Sequence, residues 1–572
     1  MCLLKPKVKK NIHTFRCICT RFSKFFVLLL AMLAPTFVLA QNIVQVSDGD
    51  IQPGQHVTWT SENIYMLNGF VFVDSTASLT IEAGTVIKGK PGQGETASAL
   101  IVARGGKIFA NGTATRPIIF TAEADDVSDP FDLPPDVRGL WGGLIILGTA
   151  RLNSTPGQTA IEGIPTTEKR GLYGGNDDDD NSGVLRYVSV RYGGTDIGAG
   201  NEINGVTFGG VGRGTTVEFV EVFNNADDGF EFFGGTVQTR YLISAFNGDD
   251  CFDYDEGFRG KGQFWFALQS DEIGNRAGEH DGGTEPEDGQ PYAIPQIYNA
   301  TYIGSGIASA NAENDLALIF RDNAGGKYYN SIFTDFEGKA IKVEDLESGQ
   351  DSQARMQAGD LVLANNIWWG FGAGSNPEDF ITQDFVLNHL TSHNNRITDP
   401  KLMNTSRTND AGLLPLPSID SPAWTDVAPV PDDGFFVQTD YIGAFGKVNW
   451  LTDWTYIAAA GIVSSEYGGH PTTRVETRAS SGTLPEGYQL DQNYPNPFNP
   501  QTSISYSLPK DAHVRLDVYN QLGQMVATLV NGERKAGTYT ATWNASALPS
   551  GLYFCRLQSR EVNLSIKMML IE

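Results

Sequence analysis

The stretch Asn225-Ala-Asp-Asp-Gly-Phe-Glu231 decides the fold, because it recurs 22 residues later as Asn247-Gly-Asp-Asp-Cys-Phe-Asp253. The segments before the two copies also align, and both place apolar residues at alternate positions. Such alternation is typical of a strand with one buried face. A strand–turn–strand unit that repeats after about 22 residues predicts coils of β-structure stacked on one another.

A second repeat extends this pattern towards the N-terminus. Leu79-Thr-Ile-Glu-Ala-Gly84 matches Leu100-Ile-Val-Ala-Arg-Gly105 at an offset of 21, with a glycine at each corner. One coil cannot bury its inward face alone, whereas stacked coils bury a continuous core. We therefore predict an all-β chain with a right-handed parallel β-helix over residues 41–469, interrupted by acidic loop insertions. The right hand follows the general rule for parallel crossovers, and a β-propeller, whose blades repeat after about 40–45 residues, does not fit.

The charge balance excludes several classes of partner. The chain has 41 Lys and Arg against 67 Asp and Glu, a net charge of −26. Residues 1–40 contain seven of the basic residues and no acidic one, so the rest of the chain carries −33. A surface that acidic repels phosphate backbones and anionic lipids, so we expect no nucleic-acid partner. The same surface attracts divalent cations.

Residues 1–40 have the pattern of a signal peptide. A basic stretch that ends at Lys24 precedes the apolar run 25–34, and the small residue Ala40 marks the predicted cleavage site. The apolar run is too short to span a bilayer, and no later run reaches 18 apolar residues. We therefore predict a secreted protein with no transmembrane segment in the mature chain. Its two remaining cysteines, Cys251 and Cys555, make no disulfide framework.

The C-terminal part of the chain has a different pattern. Residues 470–487 are poor in apolar residues and show no period, which predicts a linker. Residues 488–572 then contain six or seven short alternating strands separated by turn residues. So many short strands in so few residues predict a small Ig-like β-sandwich.

A string of residues at the start of this sandwich carries a specific resemblance. Asn493-Tyr-Pro-Asn-Pro-Phe-Asn-Pro500, followed in order by Gly537-Thr-Tyr539 and Ser550-Gly-Leu-Tyr553, resembles the type A C-terminal sorting domain of type IX secretion cargo, of the flagellar hook-capping kind. The resemblance implies export by the type IX secretion machinery to the outer cell surface of a Gram-negative bacterium. A plain accessory domain kept for binding is the alternative. The implied sorting-signal positions are Asn493, Pro495, Asn496, Pro497, Gly537, Tyr539, Gly551 and Tyr553.

The β-helix itself resembles a family of secreted bacterial β-helix proteins without assigned activity. Ile81-Glu-Ala-Gly-Thr-Val-Ile-Lys-Gly89, Trp141-Gly-Gly-Leu-Ile-Ile146 and Gly229-Phe-Glu-Phe-Phe-Gly-Gly235 are among the strings that carry this likeness. The resemblance implies the fold and brings no chemistry of its own. Any chemistry must therefore be inferred from the residues.

Six acidic residues in the two copies of the first repeat are candidate metal ligands. Residues one coil apart stack about 4.8 Å from each other, so these carboxylates repel one another unless a cation neutralises them. Calcium, a hard cation held by several oxygen atoms, suits such a set. The alternative is that water solvates the acidic turns while their side chains cap the corners. The predicted ligands are Asp227, Asp228, Glu231, Asp249, Asp250 and Asp253.

The paired Asp249 and Asp250 are catalytic candidates only if the protein is an enzyme. They resemble the paired aspartates of polygalacturonase-type glycosidases, in which two carboxyl groups act as acid and base, but the Gly-His-Gly string of that family is absent. A lyase would instead need calcium and a basic residue, for which Arg259 and Lys261 are candidates by proximity in sequence. Glu279-His-Asp281 is expected to lie in a polar surface loop.

These observations favour binding over catalysis. We expect a secreted, surface-delivered β-helix that adheres to, or holds, an extracellular polysaccharide or matrix component, with calcium at its acidic turns and no organic cofactor. A polysaccharide-degrading lyase or glycoside hydrolase on the same β-helix is the alternative. Whether the protein is an enzyme therefore stays open at this point.

Overall fold

The computed structural model describes residues 41–198, 201–466, 476–478, 487–493, 495–521, 525–545, 548, 550–560 and 562–571. The predicted signal peptide, residues 1–40, lies outside the described residues. So does most of the predicted linker 470–487, of which only residues 476–478 and 487 are described.

Three rows of parallel strands run the length of the first domain, so the predicted parallel β-helix is confirmed. The first row contains Asn42–Ser47, Asn63–Asn68, Val86–Gly89, Ile118–Ala122, Gly183–Arg191, Thr216–Phe223, Gln238–Ala245, Phe266–Leu268, Thr301–Ile303, Ile332–Phe336, Ile367–Phe371 and Arg396–Ile397.

The second row shares three long strands with the first. Gly183–Arg191, Thr216–Phe223 and Gln238–Ala245 each pass from one row to the other at a single left-handed residue, such as Phe219 at φ 56°. The other members of the second row are His56–Trp59, Ser78–Ile81, Lys107–Asn111, Lys261–Gln263, Gln296–Tyr298, Gly326–Tyr329 and Leu361–Ala364.

The third row forms a separate sheet and carries the acidic residues discussed below. Its inward side chains, for example Phe230 and Phe252, stack in the core with ring centroids 5.5 Å apart. Its members are Phe70–Val73, Ala99–Val102, Leu144–Leu147, Val206–Gly209, Phe230–Phe233, Phe252–Asp255, Gly278–Asp281, Leu316–Arg321 and Lys339–Val343.

One of the two sequence repeats agrees with the observed strand pairing, and the other does not. Glu231 pairs with Asp253 on the neighbouring strand, so the 22-residue offset is one full coil, as predicted. The 21-residue match is wrong in register, because Leu79 pairs with Ile108 while Leu100 pairs with Val71 in another row. The reason is that more than one corner of a coil uses an alternating strand followed by a left-handed glycine, so the pattern recurs within a coil as well as between coils.

Loops, short hairpins and helices decorate the coils. Three antiparallel hairpins pair Thr159–Ala160 with Leu172–Tyr173, Asp196–Gly198 with Asn201–Glu202, and Leu402–Asn404 with Leu414–Pro417. The α-helices are Ser352–Ala358, Pro377–Phe380, Asp384–Ser392 and Tyr456–Ala459, and the 3-10 turns are Gly94–Thr96, Lys169–Gly171 and Pro422–Trp424.

The C-terminal residues form two antiparallel four-stranded sheets, as predicted for a small sandwich. Their facing sides bury one core that includes Trp543 and Tyr506. One sheet contains Glu476–Arg478, Gly537–Asn544, Gln501–Leu508 and Gln489–Leu490. The other contains Met525–Arg534, Ala512–Asn520, Gly551–Gln558 and Asn563–Leu570.

Candidate functional site

Two successive turns between the first and third rows, together with the third-row strands that follow them, carry the predicted metal ligands. Hydrogen bonds lock these turns on top of each other: the Asn225 amide donates to Oδ1 of Asn247 at 2.8 Å, and the Gly248 amide donates to the Asn225 carbonyl at 2.8 Å. The Asp250 amide donates to Oδ1 of Asp228, also at 2.8 Å. Equivalent carboxylates of the two turns are therefore held in adjacent layers, as the sequence predicts.

The structure gathers five of the six predicted ligands into two triads. Asp227, Asp228 and Asp249 each offer one oxygen atom within 4.8 Å of the others, and so do Asp228, Glu231 and Asp253. Asp228 belongs to both triads, so the two candidate positions share a carboxylate. Below, "acidic cluster" means the six residues Asp227, Asp228, Glu231, Asp249, Asp250 and Asp253.

Asp250 has a different role from the other five. Its carboxylate accepts a hydrogen bond from the Arg276 amide, while its own amide bonds to Asp228. Asp250 is 4% exposed and lies in neither triad. Its side chain thus fastens the next turn to the cluster, which leaves Asp228 as the central carboxylate.

Burial makes ionisation of the carboxyl groups in the acidic cluster unfavourable. Loss of hydration, followed by repulsion from neighbouring carboxylates, raises the pKa of Asp228 and of Glu231 well above the ordinary range. The same two causes raise the pKa of Asp253, and burial together with Glu279 and Asp249 raises the pKa of Asp250. Groups in this position must take up protons or share a cation.

Glu162, a loop residue that the sequence analysis did not identify, lies beside the acidic cluster. Glu162 lies beside Glu231, and its charge adds to the burial that raises the pKa of Glu231. The Asn204 side-chain amide donates to both, at 2.9 Å to Oε1 of Glu162. Apolar packing of Ile161 and Tyr173 against the outer face of the third row holds this loop in place.

Further acidic residues follow Glu231 and Asp253 on the outer face of the third row. Glu279 pairs in register with Asp253, and two arginines then provide compensating charge. Arg276 contacts Oε2 of Glu279 at 2.6 Å, and Arg321 contacts both Glu279 and Asp281. Burial raises the pKa of Asp281 to about 7, although Arg321 opposes this shift.

The segment Glu279-His280-Asp281 is a strand, so the surface-loop prediction is wrong. Alternation sends Glu279 and Asp281 outward and His280 into the core, where it stacks on Tyr254 with ring centroids 4.1 Å apart. Tyr328 Oη lies 2.9 Å from Nε2 of His280, and burial lowers the pKa of this imidazole to about 3. A neutral core histidine of this kind is a structural residue.

The two basic residues proposed for a lyase are committed to other partners. Arg259 contacts Asp178 at 3.0 Å, and Lys261 contacts Asp433 at 2.5 Å. Lys261 also belongs to the second row and not to the acidic face. Arg276 and Arg321 are the basic groups that the structure places beside the acidic residues.

The predicted sorting-signal residues organise the entry into the sandwich. The Asn493 side chain is 2% exposed and donates to the Pro495 carbonyl and to Thr502 Oγ1, both at 2.9 Å. Oδ1 of Asn496 accepts from the Met569 amide at 2.8 Å, which ties the string to the last strand. Pro497 is exposed in the segment before the strand Gln501–Leu508, whereas Gly537 and Gly551 begin strands, and Tyr539 and Tyr553 lie in the sandwich core.

A family model described as a pectate-lyase like beta helix domain matches residues 49–406, which is more than half of the chain. The chain belongs to this family. Residues 492–572 match a second model, the secretion system C-terminal sorting domain, so the type IX sorting tail is confirmed. The protein is therefore secreted, either to the cell surface or to the outside of the cell.

Solved structures add little to the family assignment. The enzymatically active domain of tailspike protein 2 from bacteriophage CBA120 is 11% identical, with a TM-score of 0.21 over 88% of this chain and 71% of that chain. The full-length tailspike protein 2 of an Escherichia coli bacteriophage gives the same values over 88% and 64%. At such a TM-score the likeness carries no argument.

No curated protein matches the chain. None of the helices in the described part of the chain combines the length and the apolar character needed to cross a bilayer.

Proposed function

We propose that this secreted β-helix binds an extracellular polysaccharide or matrix component, with calcium held by the acidic cluster. The observation that carries the proposal is the pair of carboxylate triads that share Asp228. Sharing one ligand places two cations side by side, each held by oxygen atoms from two stacked coils. A cation at such a position keeps open ligand sites that hydroxyl or carboxylate groups of a sugar can fill.

The donor set suits calcium better than a transition metal. Every candidate ligand is a carboxylate oxygen, and calcium takes six to eight oxygen atoms at about 2.3–2.6 Å in flexible geometry. Oδ1 of Asp253 is buried and has no hydrogen-bond partner among the described residues, so its lone pairs are available to a cation. Protein carboxylates can fill only part of the calcium shell, which leaves the remainder for water or for a ligand.

The sorting domain supplies the second half of the proposal. We propose that residues 492–572 present the chain to the type IX secretion machinery at the outer membrane of a Gram-negative bacterium. The β-helix would then stand outside the cell, where calcium is plentiful and where polysaccharides are accessible. No step of this proposal requires an organic cofactor.

Calcium binding is tested by thermal unfolding of the mature chain in EDTA and after calcium is returned. The proposal expects a rise in Tm with calcium, and stronger retention of the protein on at least one immobilised polysaccharide in calcium than in EDTA. The control is Asp432→Asn, which removes an exposed carboxylate outside the cluster. An unchanged Tm on chelation and return of calcium would rule out the cation site.

A polysaccharide-degrading enzyme is the second candidate, and one observation favours it. Asp253, whose pKa burial and neighbouring carboxylates raise well above the ordinary range, pairs in register with Glu279, which contacts Arg276 and Arg321. Acid–base cleavage of a glycosidic bond uses two neighbouring carboxyl groups whose surroundings differ. This moves the catalytic hypothesis from Asp249 and Asp250 to Asp253 and Glu279.

Turnover separates the two candidates. The mature chain is incubated with a polysaccharide panel, and new reducing ends or unsaturated uronate are measured. Products that disappear in Asp253→Asn but persist in Asp432→Asn would establish the enzyme. Retention on polysaccharide without any product would establish the binder.

A further inference from the structure

A groove outside the acidic cluster lies at the corner of the coils where the strands of the first row end. Its volume is about 1010 Å³, and none of the six cluster residues lines it. Phe223 and Phe246, from two successive coils, lie at its base. Its walls come from residues 130–138, 270–273, 407–409 and 456–462, which are remote in sequence. We name this cavity the corner groove.

Hydrogen bonds fix the walls of the corner groove to the β-helix. Arg138 Nη2 donates to the Phe246 carbonyl at 2.8 Å, and Asn224 Nδ2 donates to the Pro135 carbonyl at 2.7 Å. Tyr456 Oη donates to the Pro130 carbonyl at 2.6 Å, which joins two walls directly. The groove is therefore formed before any ligand arrives, which lowers the entropic cost of binding.

An exposed aromatic ring stands at the rim of the corner groove. Phe131 is 63% exposed, although burial of a phenylalanine side chain stabilises a fold. Behind it, the rings of Phe223 and Tyr456 lie 4.1 Å apart and give the interior an apolar surface. Flat apolar rings of this kind match the apolar face of a pyranose ring.

The accessible charge in the corner groove is negative. Asp132, Asp136, Asp271 and Glu272 are exposed in its walls. The two guanidinium groups are already engaged, Arg138 by the Phe246 carbonyl and Arg407 by Asp335 at 2.7 Å. Free carboxylates accept strong hydrogen bonds from sugar hydroxyl groups, whereas they repel a polyuronate.

We infer that the corner groove binds an uncharged oligosaccharide and rejects polyuronates. The inference rests on the proposed polysaccharide binding for its class of ligand, but it adds a second site and a specificity. Rigid walls, an exposed stacking ring and exposed carboxylate acceptors supply shape, apolar contact and polar recognition. Because the site contains no part of the acidic cluster, its binding is independent of calcium.

The inference is tested by calorimetric titration of the mature chain with neutral oligosaccharides built on cellulose, xylan, laminarin and chitin, and with oligogalacturonate. We expect at least one neutral oligosaccharide to bind in EDTA, and oligogalacturonate not to bind there. Phe131→Ala should weaken this binding at least tenfold. Ile419→Ala, which removes a 96% exposed side chain outside the groove, is the matched control and should change nothing.

A second variant tests the polar contacts without touching the aromatic ring. Asp271→Asn keeps the shape of the wall and removes one charge, so the charge-assisted hydrogen bonds weaken and affinity should fall severalfold.

The inference is overturned if no neutral oligosaccharide binds, if oligogalacturonate binds in EDTA, or if Phe131→Ala binds as the unmodified chain does. Loss of all binding in EDTA together with full binding by Phe131→Ala in calcium would remove the corner groove and leave the calcium-dependent proposal standing. Binding in EDTA that Phe131→Ala removes, without any effect of calcium on Tm, would support the corner groove and rule out the calcium-dependent proposal.

Discussion

Replacing Asp228 by Asn should remove both cation positions at once, because Asp228 belongs to both triads. Replacing Asp227 by Asn should remove only one, since Asp227 belongs to the first triad alone. The comparison therefore tests the shared ligand and not merely the presence of negative charge. Asparagine has nearly the same shape as aspartate, so the turn and its backbone hydrogen bonds are kept.

The size of the stabilisation by calcium follows from mass action. A ligand at 100 times its Kd stabilises the folded state by about 2.7 kcal/mol per site, so two sites contribute about 5 kcal/mol. Unfolding entropy is about 2.1 cal/mol/K per residue, or about 0.9 kcal/mol/K for the roughly 430 residues of the β-helix. Saturating calcium should therefore raise Tm by about 6 °C in the unmodified chain, by about 3 °C in Asp227→Asn and by about 0 °C in Asp228→Asn.

Differential scanning calorimetry in EDTA and in calcium measures these three shifts, with Asp432→Asn as the control that keeps the full 6 °C. In EDTA, Asp228→Asn should be more stable than the unmodified chain, because it removes a buried carboxyl group that must either take up a proton or carry a charge that its neighbours repel. Equal losses in Asp227→Asn and Asp228→Asn would refute the shared ligand. A full calcium shift in Asp228→Asn would refute the site.

Three other predictions follow from the same contacts. In EDTA, the raised pKa values of the four buried cluster carboxylates mean that the folded state binds more protons than the unfolded state. The free energy of unfolding should therefore rise as pH falls from 8 to 5. Urea titrations in which it falls over this range would contradict the prediction. Glu221→Ala should lower the free energy of unfolding in urea by about 2–4 kcal/mol, because the Glu221 carboxylate is fully buried and accepts hydrogen bonds from the Tyr456 and Ile457 amides at 2.7 and 3.2 Å. An unchanged urea midpoint would show that these two hydrogen bonds are dispensable. Deleting residues 488–572 should trap the protein in the periplasm, as cell fractionation would show, and undiminished surface display would disprove the role of the tail.

The first repeat could be predicted from the sequence because its two copies differ by one uninterrupted coil. Strand pairing of Glu231 with Asp253 then follows from the 22-residue offset, and so does most of the acidic cluster. The next coil contains a longer turn, so Asp253 pairs with Glu279 after 26 residues and the repeat is no longer visible. The alternation of Glu279, His280 and Asp281 was the one available signal that this segment is a strand with two outward carboxylates.

Other parts of the site leave no local trace in the sequence. Glu162 reaches Glu231 from a loop that apolar packing holds against the outer face of the third row, and nothing near Glu162 marks this contact. Arg321 is 40 residues from its partner Asp281. The corner groove combines segments from residue 130 to residue 462, so only the coiling of the chain brings them together.

The most direct test of the calcium proposal is a crystal structure of the mature chain grown in calcium, with anomalous data to identify the ion. Two calcium ions are expected at the acidic cluster, both within about 2.3–2.6 Å of oxygen atoms of Asp228. Well-ordered carboxylates at Asp227, Asp228, Glu231, Asp249 and Asp253 with no ion between them at saturating calcium would contradict this expectation.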